Sequence, residues 1–210
     1  MSFISNMKES INDLNGDNKN YYNQTFNDLK FSQKKILNKE FFDCCFESCD
    51  FNEAHFLNCE FNNCTFITCT LNNVAVNNSK FLDVEFTDCK IIGVNWTNAY
   101  WRGLVLLAPL NFKRCMINSS SFYGLNLEKT MIVECRSHDV DFRECNLSDV
   151  NFSHTDLQDS LFNNTNLTGA NFHSAKSYDI NIKNNILKNA SFCRYEAVRL
   201  LNSLDINLID

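Results

Sequence analysis

Large apolar side chains recur at every fifth residue along most of this chain. The first run of these repeat centres is Phe41, Phe46, Phe51, Phe56, Phe61, Phe66, Leu71, Val76, Phe81, Phe86, Ile91, Trp96 and Trp101. A second run, one residue out of register, extends from Phe112 to Phe192 with Ser137 and Ser177 as exceptions. Neither a helix nor a half-buried strand keeps every fifth residue on one face. The pattern predicts a repeated structure whose interior recurs after a short corner.

A second column of inward residues lies two positions before each centre. After Lys39, its members in the first run are small or compact: Cys44, Cys49, Ala54, Cys59, Cys64, Cys69, Val74, Ser79, Val84, Cys89, Val94 and Ala99. The other three positions are dominated by polar and charged residues. Two of every five side chains therefore point inward, which predicts a square coil with one pentapeptide on each side.

The motif Cys/Ala/Ser/Val-x-Phe/Leu-x-x, repeated over residues 21–192, resembles that of the pentapeptide repeat proteins. The resemblance implies an all-β fold, a right-handed quadrilateral β-helix with four pentapeptides in each coil. Residues 20 apart should then stack, as Leu127, Leu147 and Leu167 would. At strand spacing, about eight to nine coils would give a rod about 40 Å long.

Three segments are expected: an N-terminal extension or cap at 1–20, the repeat region at 21–192 and a C-terminal element at 193–210. The spacing of Trp101 and Phe112 predicts a one-residue bulge within 102–111. The apolar residues of that break either stay inward or form an exposed Leu/Pro patch that contacts a partner. Both interpretations remain open from the residues alone.

The C-terminal element is predicted to be a helix over Arg194–Leu204 followed by a short strand over Asp205–Asp210. It could simply cap the last coil. In the proteins that the chain resembles, such an element joins two rods tail to tail, which implies a homodimer. The candidate dimerisation residues are Ala197, Leu200, Leu201, Leu204, Ile206 and Leu208.

The cysteines follow the repeat rather than the spacing of a bonded site. Nine of the 11 lie in the inward column, and only Cys45 and Cys193 lie outside it. We therefore expect buried thiols rather than disulfides or zinc ligands. The four histidines occupy outward positions, and the chain has no glycine-rich phosphate loop. These observations predict a protein that is not an enzyme and that has no cofactor or metal.

The N-terminal residues show no basic stretch followed by an apolar one, so they do not resemble a signal peptide. The longest apolar run, Leu104–Leu110, is too short to span a membrane. A cytoplasmic protein without membrane contact is the resulting expectation.

Acidic residues are concentrated in the first run of repeats, which has a net charge of −6, equal to that of the whole chain. The candidate partner-binding carboxylates are Asp43, Glu47, Asp50, Glu53, Glu60, Asp83, Glu85 and Asp88. Direct binding of nucleic acid is disfavoured, because no basic stripe is available to neutralise phosphates.

The segments Cys89–Trp96 and Ser121–Leu127, together with the leucine-rich tail, resemble the Qnr-type and microcin-immunity group of pentapeptide repeat proteins. That resemblance implies a DNA mimic that acts on bacterial DNA gyrase and topoisomerase IV and relieves poisoning by a quinolone or a toxin. The alternative is a general protein-interaction scaffold or effector with no topoisomerase link.

Overall fold

The computed structural model describes residues 14, 17–101, 108–204, 206 and 209. Their regular elements are short strands and two 3₁₀ helices, Trp96–Asn98 and Glu196–Leu204. The strands are β1 Asn20–Tyr22, β2 Thr25–Asn27, β3 Lys35–Leu37, β4 Glu40–Phe42, β5 Cys45–Glu47, β6 His55–Leu57, β7 Glu60–Asn62, β8 Thr65–Ile67, β9 Lys80–Leu82, β10 Val84–Thr87, β11 Leu110–Lys113, β12 Ile132–Val133, β13 Asn171–Phe172 and β14 Ser191–Phe192.

All of the strand pairs are parallel, and before residue 101 their partners are 20 residues apart, as in Phe41 with Phe61. The chain therefore forms a β-solenoid of about eight turns with four sides, which confirms the predicted fold. We number the sides by their repeat centres. Face 1 contains Tyr21, Phe41, Phe61, Phe81 and Trp101, and later Leu127, Leu147, Leu167 and Leu187; face 2 contains Phe26, Phe46, Phe66, Phe86, Phe112, Ile132, Phe152, Phe172 and Phe192. Face 3 contains Phe31, Phe51, Leu71, Ile91, Ile117, Ser137 and Leu157; face 4 contains Ile36, Phe56, Val76, Trp96, Phe122, Phe142, Phe162 and Ile182.

Face 2 carries the longest sheet, in the order β12-β11-β10-β8-β5-β2. The strands of this sheet are two to four residues long, and each carries its repeat centre inward; the four-residue strands β10 and β11 also bury Val84 and Leu110. The rings of Phe26, Phe46 and Phe66 stack with centroids 4.9 and 4.6 Å apart. Burial of these large side chains is the main stabilising contribution, at about 25 cal/mol per Å² of apolar surface.

The corners are built from residues in the left-handed backbone conformation. This conformation recurs two residues after most centres, with φ between +50° and +61° at non-glycine residues such as Asn63, Asp83 and Asp149. Asparagine and aspartate tolerate this conformation better than most non-glycine residues, which explains their frequency in the sequence. The five-residue pattern alone does not separate the corner position from the other two outward positions of each repeat.

The inward cysteines have a second role besides filling volume. The Cys69 thiol donates a hydrogen bond to the Phe46 carbonyl at 3.3 Å, and its sulfur accepts one from the Cys49 amide at 3.4 Å. The same double contact recurs at Cys89 and Cys115, and Ser79 replaces the thiol with a hydroxyl. All 11 cysteines are free, and nine are buried, as predicted. They satisfy backbone groups that the corners would otherwise leave buried and unpaired.

The predicted one-residue bulge at 102–111 is wrong in size, although the phase shift is correct. Phe86 pairs with Phe112 and Glu85 with Asn111, so this coil has 26 residues between equivalent positions instead of 20. Six extra residues therefore enter between Trp101 and Phe112. A spacing pattern with a period of five cannot distinguish one extra residue from six. The possible patch formed by Leu104–Leu107 lies outside the described residues, whereas Pro109 and Leu110 are buried.

The interior changes near the C-terminal end of the rod. Ser137 is fully buried on face 3, as the repeat predicts, but Ser177 has φ +60° and Tyr178 takes the inward place instead. The Tyr178 ring packs against Phe172 and Phe192. The C-terminal 3₁₀ helix then covers the last coil, with Leu200 packed against the core. Most of the predicted strand 205–210 lies outside the described residues.

Candidate protein-interaction surface

The eight predicted carboxylates do not share one side of the rod. Glu60 lies on face 1, Glu47 and Glu85 lie on face 2, and Asp50 lies on face 3. The other four occupy left-handed corner positions. Those corner residues are Asp43 and Asp83 between faces 1 and 2, Asp88 between faces 2 and 3, and Glu53 after face 3. Aspartate tolerates the left-handed backbone conformation of a corner. The presence of aspartate at these positions therefore has a structural reason besides its charge.

Two of the eight carboxylates are neutralised by a cation from a neighbouring coil. The Glu60 carboxylate pairs with Lys80 at 3.0 Å. Asp88 accepts two hydrogen bonds from the Arg114 guanidinium, at 2.7 and 2.8 Å, and this contact lowers the pKa of Asp88 below its ordinary value. These two side chains are poor imitations of phosphates, because their charge is already paired.

Three further carboxylates accept hydrogen bonds from neutral donors. Asp43 accepts from the Asn63 amide at 2.6 Å, and Glu53 accepts from Gln33 at 2.9 Å. Asp50 accepts from Asn52 and Thr70. These contacts fix the orientation of the side chains and leave their charge unpaired.

Glu47, Asp83 and Glu85 have side chains without a hydrogen bond or ion pair within the described ranges 17–101 and 108–204. With Asp43, they border or lie on the β-sheet of face 2. We call Asp43, Glu47, Asp83 and Glu85 the face 2 acidic strip. Sequence alone could not separate these four from the other candidates, because ion pairing between coils depends on which residues lie 20 or 26 positions apart.

The predicted dimerisation residues divide into two groups. Ala197, Leu200, Leu201 and Leu204 are half-buried on the C-terminal 3₁₀ helix, whereas Ile206 is exposed and Leu208 lies outside the described residues. The helix is tied to the last coil because Glu196 accepts a hydrogen bond from the Ser177 amide at 3.1 Å. Apolar side chains remain exposed at this end, including Tyr195 and Ile209, each at 92%.

The part of the chain that the structure describes contains no group of three or more His, Cys, Asp or Glu side chains that could hold a metal ion. Its histidines lie on the outer surface, and His138 contacts Asp156 at 3.1 Å. Of the helices described, none is long and apolar enough to cross a lipid bilayer. The described part of the surface offers charge and shallow grooves.

Comparison with known families identifies the class of this solenoid. The family profile described as "Pentapeptide repeat region" matches residues 39–122, 105–172 and 134–192. These ranges cover well over half of the chain. The protein is therefore a member of the pentapeptide repeat family. A search of curated protein sequences finds no significant match.

Solved structures give the same fold. The chain is similar to a trypsin-treated variant of QnrB1, a plasmid-mediated fluoroquinolone resistance protein, with a TM-score of 0.62, 21% identity and coverage of 91% of this chain and 92% of that one. A second trypsin-treated variant of QnrB1 gives a TM-score of 0.61 at 20% identity, with coverage of 91% and 94%. At this identity, the likeness establishes a shared solenoid and nothing about partners.

Proposed function

We propose that this protein is a non-enzymatic DNA mimic that binds a bacterial type II topoisomerase, gyrase or topoisomerase IV, and protects it from a quinolone or a toxin. The observation that supports this most directly is the face 2 acidic strip, whose four carboxylates have no cationic partner among the described residues and lie on or at the edge of the face 2 sheet. The likeness in fold to a fluoroquinolone resistance protein supports the same proposal.

The strip has the spacing needed for partial mimicry. Asp43 and Asp83 are two coils apart, about 10 Å at strand spacing. Over that length duplex DNA carries about six charges, since it has one per about 1.7 Å of axis. The four carboxylates of the strip therefore reproduce more than half of the DNA charge density on one side of the rod. Such a surface attracts the basic side chains that line a DNA-binding groove.

A supercoiling assay with purified DNA gyrase tests the proposal. The protein should restore supercoiling in the presence of ciprofloxacin, and its binding to gyrase should weaken steeply with added salt. Free duplex DNA should compete for the same site. If the wild type neither binds gyrase at low salt nor restores supercoiling, a scaffold with a different partner becomes the better description.

Neutralising the face 2 acidic strip tests whether gyrase affinity depends on these four carboxylates or only on the net charge of the protein. The variant Asp43→Asn, Glu47→Gln, Asp83→Asn and Glu85→Gln should bind gyrase at least tenfold more weakly. The matched control removes four exposed carboxylates after the insertion: Glu134→Gln, Asp139→Asn, Asp149→Asn and Asp159→Asn. Both variants change the net charge equally, so equal losses of affinity would mean that overall charge, and not the strip, determines binding.

We also propose that the protein forms a tail-to-tail homodimer. The exposed apolar side chains at the C-terminal end, Tyr195, Val198, Ile206 and Ile209, support this arrangement. Val198→Arg combined with Ile206→Arg should yield a monomer in light scattering, while circular dichroism still reports the solenoid. A monomeric wild type would remove the proposal.

A further inference from the structure

A shallow groove crosses face 2 at one end of the acidic strip and shares Glu85 with it. Its volume is about 260 Å³, and its floor is formed at Phe86 and Phe112. The outward side chains of β10, β11 and β12 form its two walls. These lining residues are Glu85, Thr87, Asn111, Lys113, Met131 and Val133, with Asn151 at the far end.

Met131 is the unusual member of the groove. It occupies the outward position just before a face 2 centre, where the neighbouring coils have Thr65, Glu85, Asn111 and Asn151. Its side chain is 45% exposed. Single exposed apolar residues need no explanation, but here Met131 and Val133 stand on opposite walls of one concavity. An apolar side chain placed between them would bury both.

The size of the groove limits what can occupy it. Small-molecule sites usually have volumes of about 300 to 1,000 Å³ and enclose most of the ligand. This groove is smaller and open, so it suits a single apolar side chain projecting from a larger partner. The parallel strands below it are joined in continuous register, which holds the walls in place before binding. A preorganised pocket of this kind is typical of the anchor positions of protein interfaces.

The charges at the rim specify the chemistry around that side chain. On one wall, the Glu85 carboxylate belongs to the acidic strip and has no described hydrogen bond or ion pair. Asp83 lies at the neighbouring corner, on the same side. On the other wall is Lys113, whose neighbour Arg114 is already paired with Asp88. An occupant should therefore present a lysine or arginine toward Glu85 and Asp83.

We infer that the face 2 groove binds one aliphatic or aromatic side chain of a partner polypeptide, next to a lysine or arginine that contacts Glu85. The identity of the partner as a topoisomerase rests on the proposed function above. The groove and the class of its ligand do not depend on that identity. The groove adds an apolar anchor to the acidic surface. Charge alone would discriminate poorly between different basic partners.

Methyl NMR on the full chain tests the groove directly. The protein has four methionines, so a spectrum of methionine methyl groups is simple to assign. The probe is the tripeptide acetyl-Lys-Leu-Lys-amide, and Met116, on face 3, is the internal control. The Met131 signal should shift and saturate, while that of Met116 stays constant. Acetyl-Lys-Gly-Lys-amide and acetyl-Glu-Leu-Glu-amide should each bind at least fivefold more weakly.

Three results would overturn the inference. The first is the absence of a saturable Met131 shift with the leucine peptide. The second is equal binding of the glycine or acidic peptide. The third is a shift of the Met131 signal, without peptide, when residues 102–107 are replaced by glycines, because the groove would then belong to the chain's own segment.

A gyrase measurement distinguishes this inference from the proposed function. Met131→Asn should lower gyrase affinity at least tenfold, whereas Leu161→Asn should leave it unchanged. Leu161 is a matched control, since it is 48% exposed at the same repeat position on face 4. If wild type does not bind gyrase but the leucine peptide saturates Met131, the proposed function fails and the groove stands. If wild type binds gyrase and both variants retain full affinity, the groove is not part of the gyrase interface, and the peptide titration alone then decides the inference.

Discussion

The coils before the six-residue insertion and those after it form the same square with different chemistry. Before it, the interior is filled mainly by stacked phenylalanine rings, and thiols such as Cys69 bind the corner carbonyls. After it, leucines form most of face 1, and hydroxyls such as Thr155 and Ser160 bind corner carbonyls alongside the thiols that remain there, such as Cys145. The comparison shows that the fold requires a bulky centre and a short side chain two positions before it, and that several residue types supply each, with or without a hydrogen-bond donor.

The largest expected difference between the two regions lies in their centres. Phe46→Ala should destabilise the protein by about 3 to 5 kcal/mol, because it leaves a cavity and breaks ring contacts on several sides. Leu147→Ala should cost less, about 2 to 4 kcal/mol, since no aromatic contact is lost. Urea unfolding measures both, with Asn77→Ser, an exposed change, as a control that should stay within about 0.5 kcal/mol. A greater loss for Leu147→Ala would contradict the importance of ring stacking.

The second comparison concerns the hydrogen bonds at the corners. The Thr155 hydroxyl donates to the Ile132 carbonyl at 2.6 Å and accepts from the Cys135 amide at 3.1 Å. Thr155→Val keeps the shape and removes both contacts, which should cost about 1 to 3 kcal/mol. Before the insertion, Cys69→Val should cost less, because a thiol is a weaker donor. The column already accommodates valine at Val140 and Val150, so poor fit is not expected. Equal melting temperatures for Thr155→Val and wild type would show that these hydrogen bonds contribute nothing.

Alkaline pH provides a third comparison. Burial raises the pKa of Cys59, before the insertion, to about 11, and that of Cys145, after it, to about 12. The thiols of the unfolded chain ionise near pH 9 while the folded ones remain protonated, so stability should fall as pH rises through this interval. The expected slope is about 1.4 kcal/mol per pH unit for each thiol. Cys59→Ser should make the free energy of unfolding fall less steeply with pH between about pH 9 and pH 11. Cys145→Ser should do the same between about pH 9 and pH 12. Curves that are parallel to wild type would argue against the burial of these thiols.

The smallest effect is expected at the glycine corners. Gly124 and Gly169 have φ near +70°, where an added Cβ costs at least about 1 kcal/mol. At Gly124 nothing lies within 4 Å of that Cβ, whereas at Gly169 it would meet Asp149 Oδ1 at 2.2 Å. Gly169→Ala should therefore be more destabilising than Gly124→Ala in thermal melts. The added change Asp149→Ser should remove the difference; if it persists, contact with the preceding coil is not its cause.

Most of the interior was predictable from the sequence. The five-residue period identifies Phe46, Cys69 and Leu147 as inward residues because the square coil repeats the same environment at each side. Tyr178 points inward one position after the repeat centre expected at Ser177. No local sequence pattern around Ser177 indicates this shift. The five-residue spacing predicts that the register shifts between Trp101 and Phe112, but it does not give the number of inserted residues. That number follows from strand pairing, which determines which residues of consecutive coils are partners.

The sequence by itself determined the class of fold, the inward columns and the acidity of the first repeats, since these depend on periodic burial within single pentapeptides. Only the tertiary structure decided which carboxylates remain unpaired. Glu60 and Asp88 form ion pairs with Lys80 and Arg114, which are 20 and 26 residues away. Likewise, the groove between Met131 and Val133 exists only because three coils lie side by side on face 2. Charge pairing and concavity are properties of neighbouring coils, and the insertion between Trp101 and Phe112 sets which residues become neighbours.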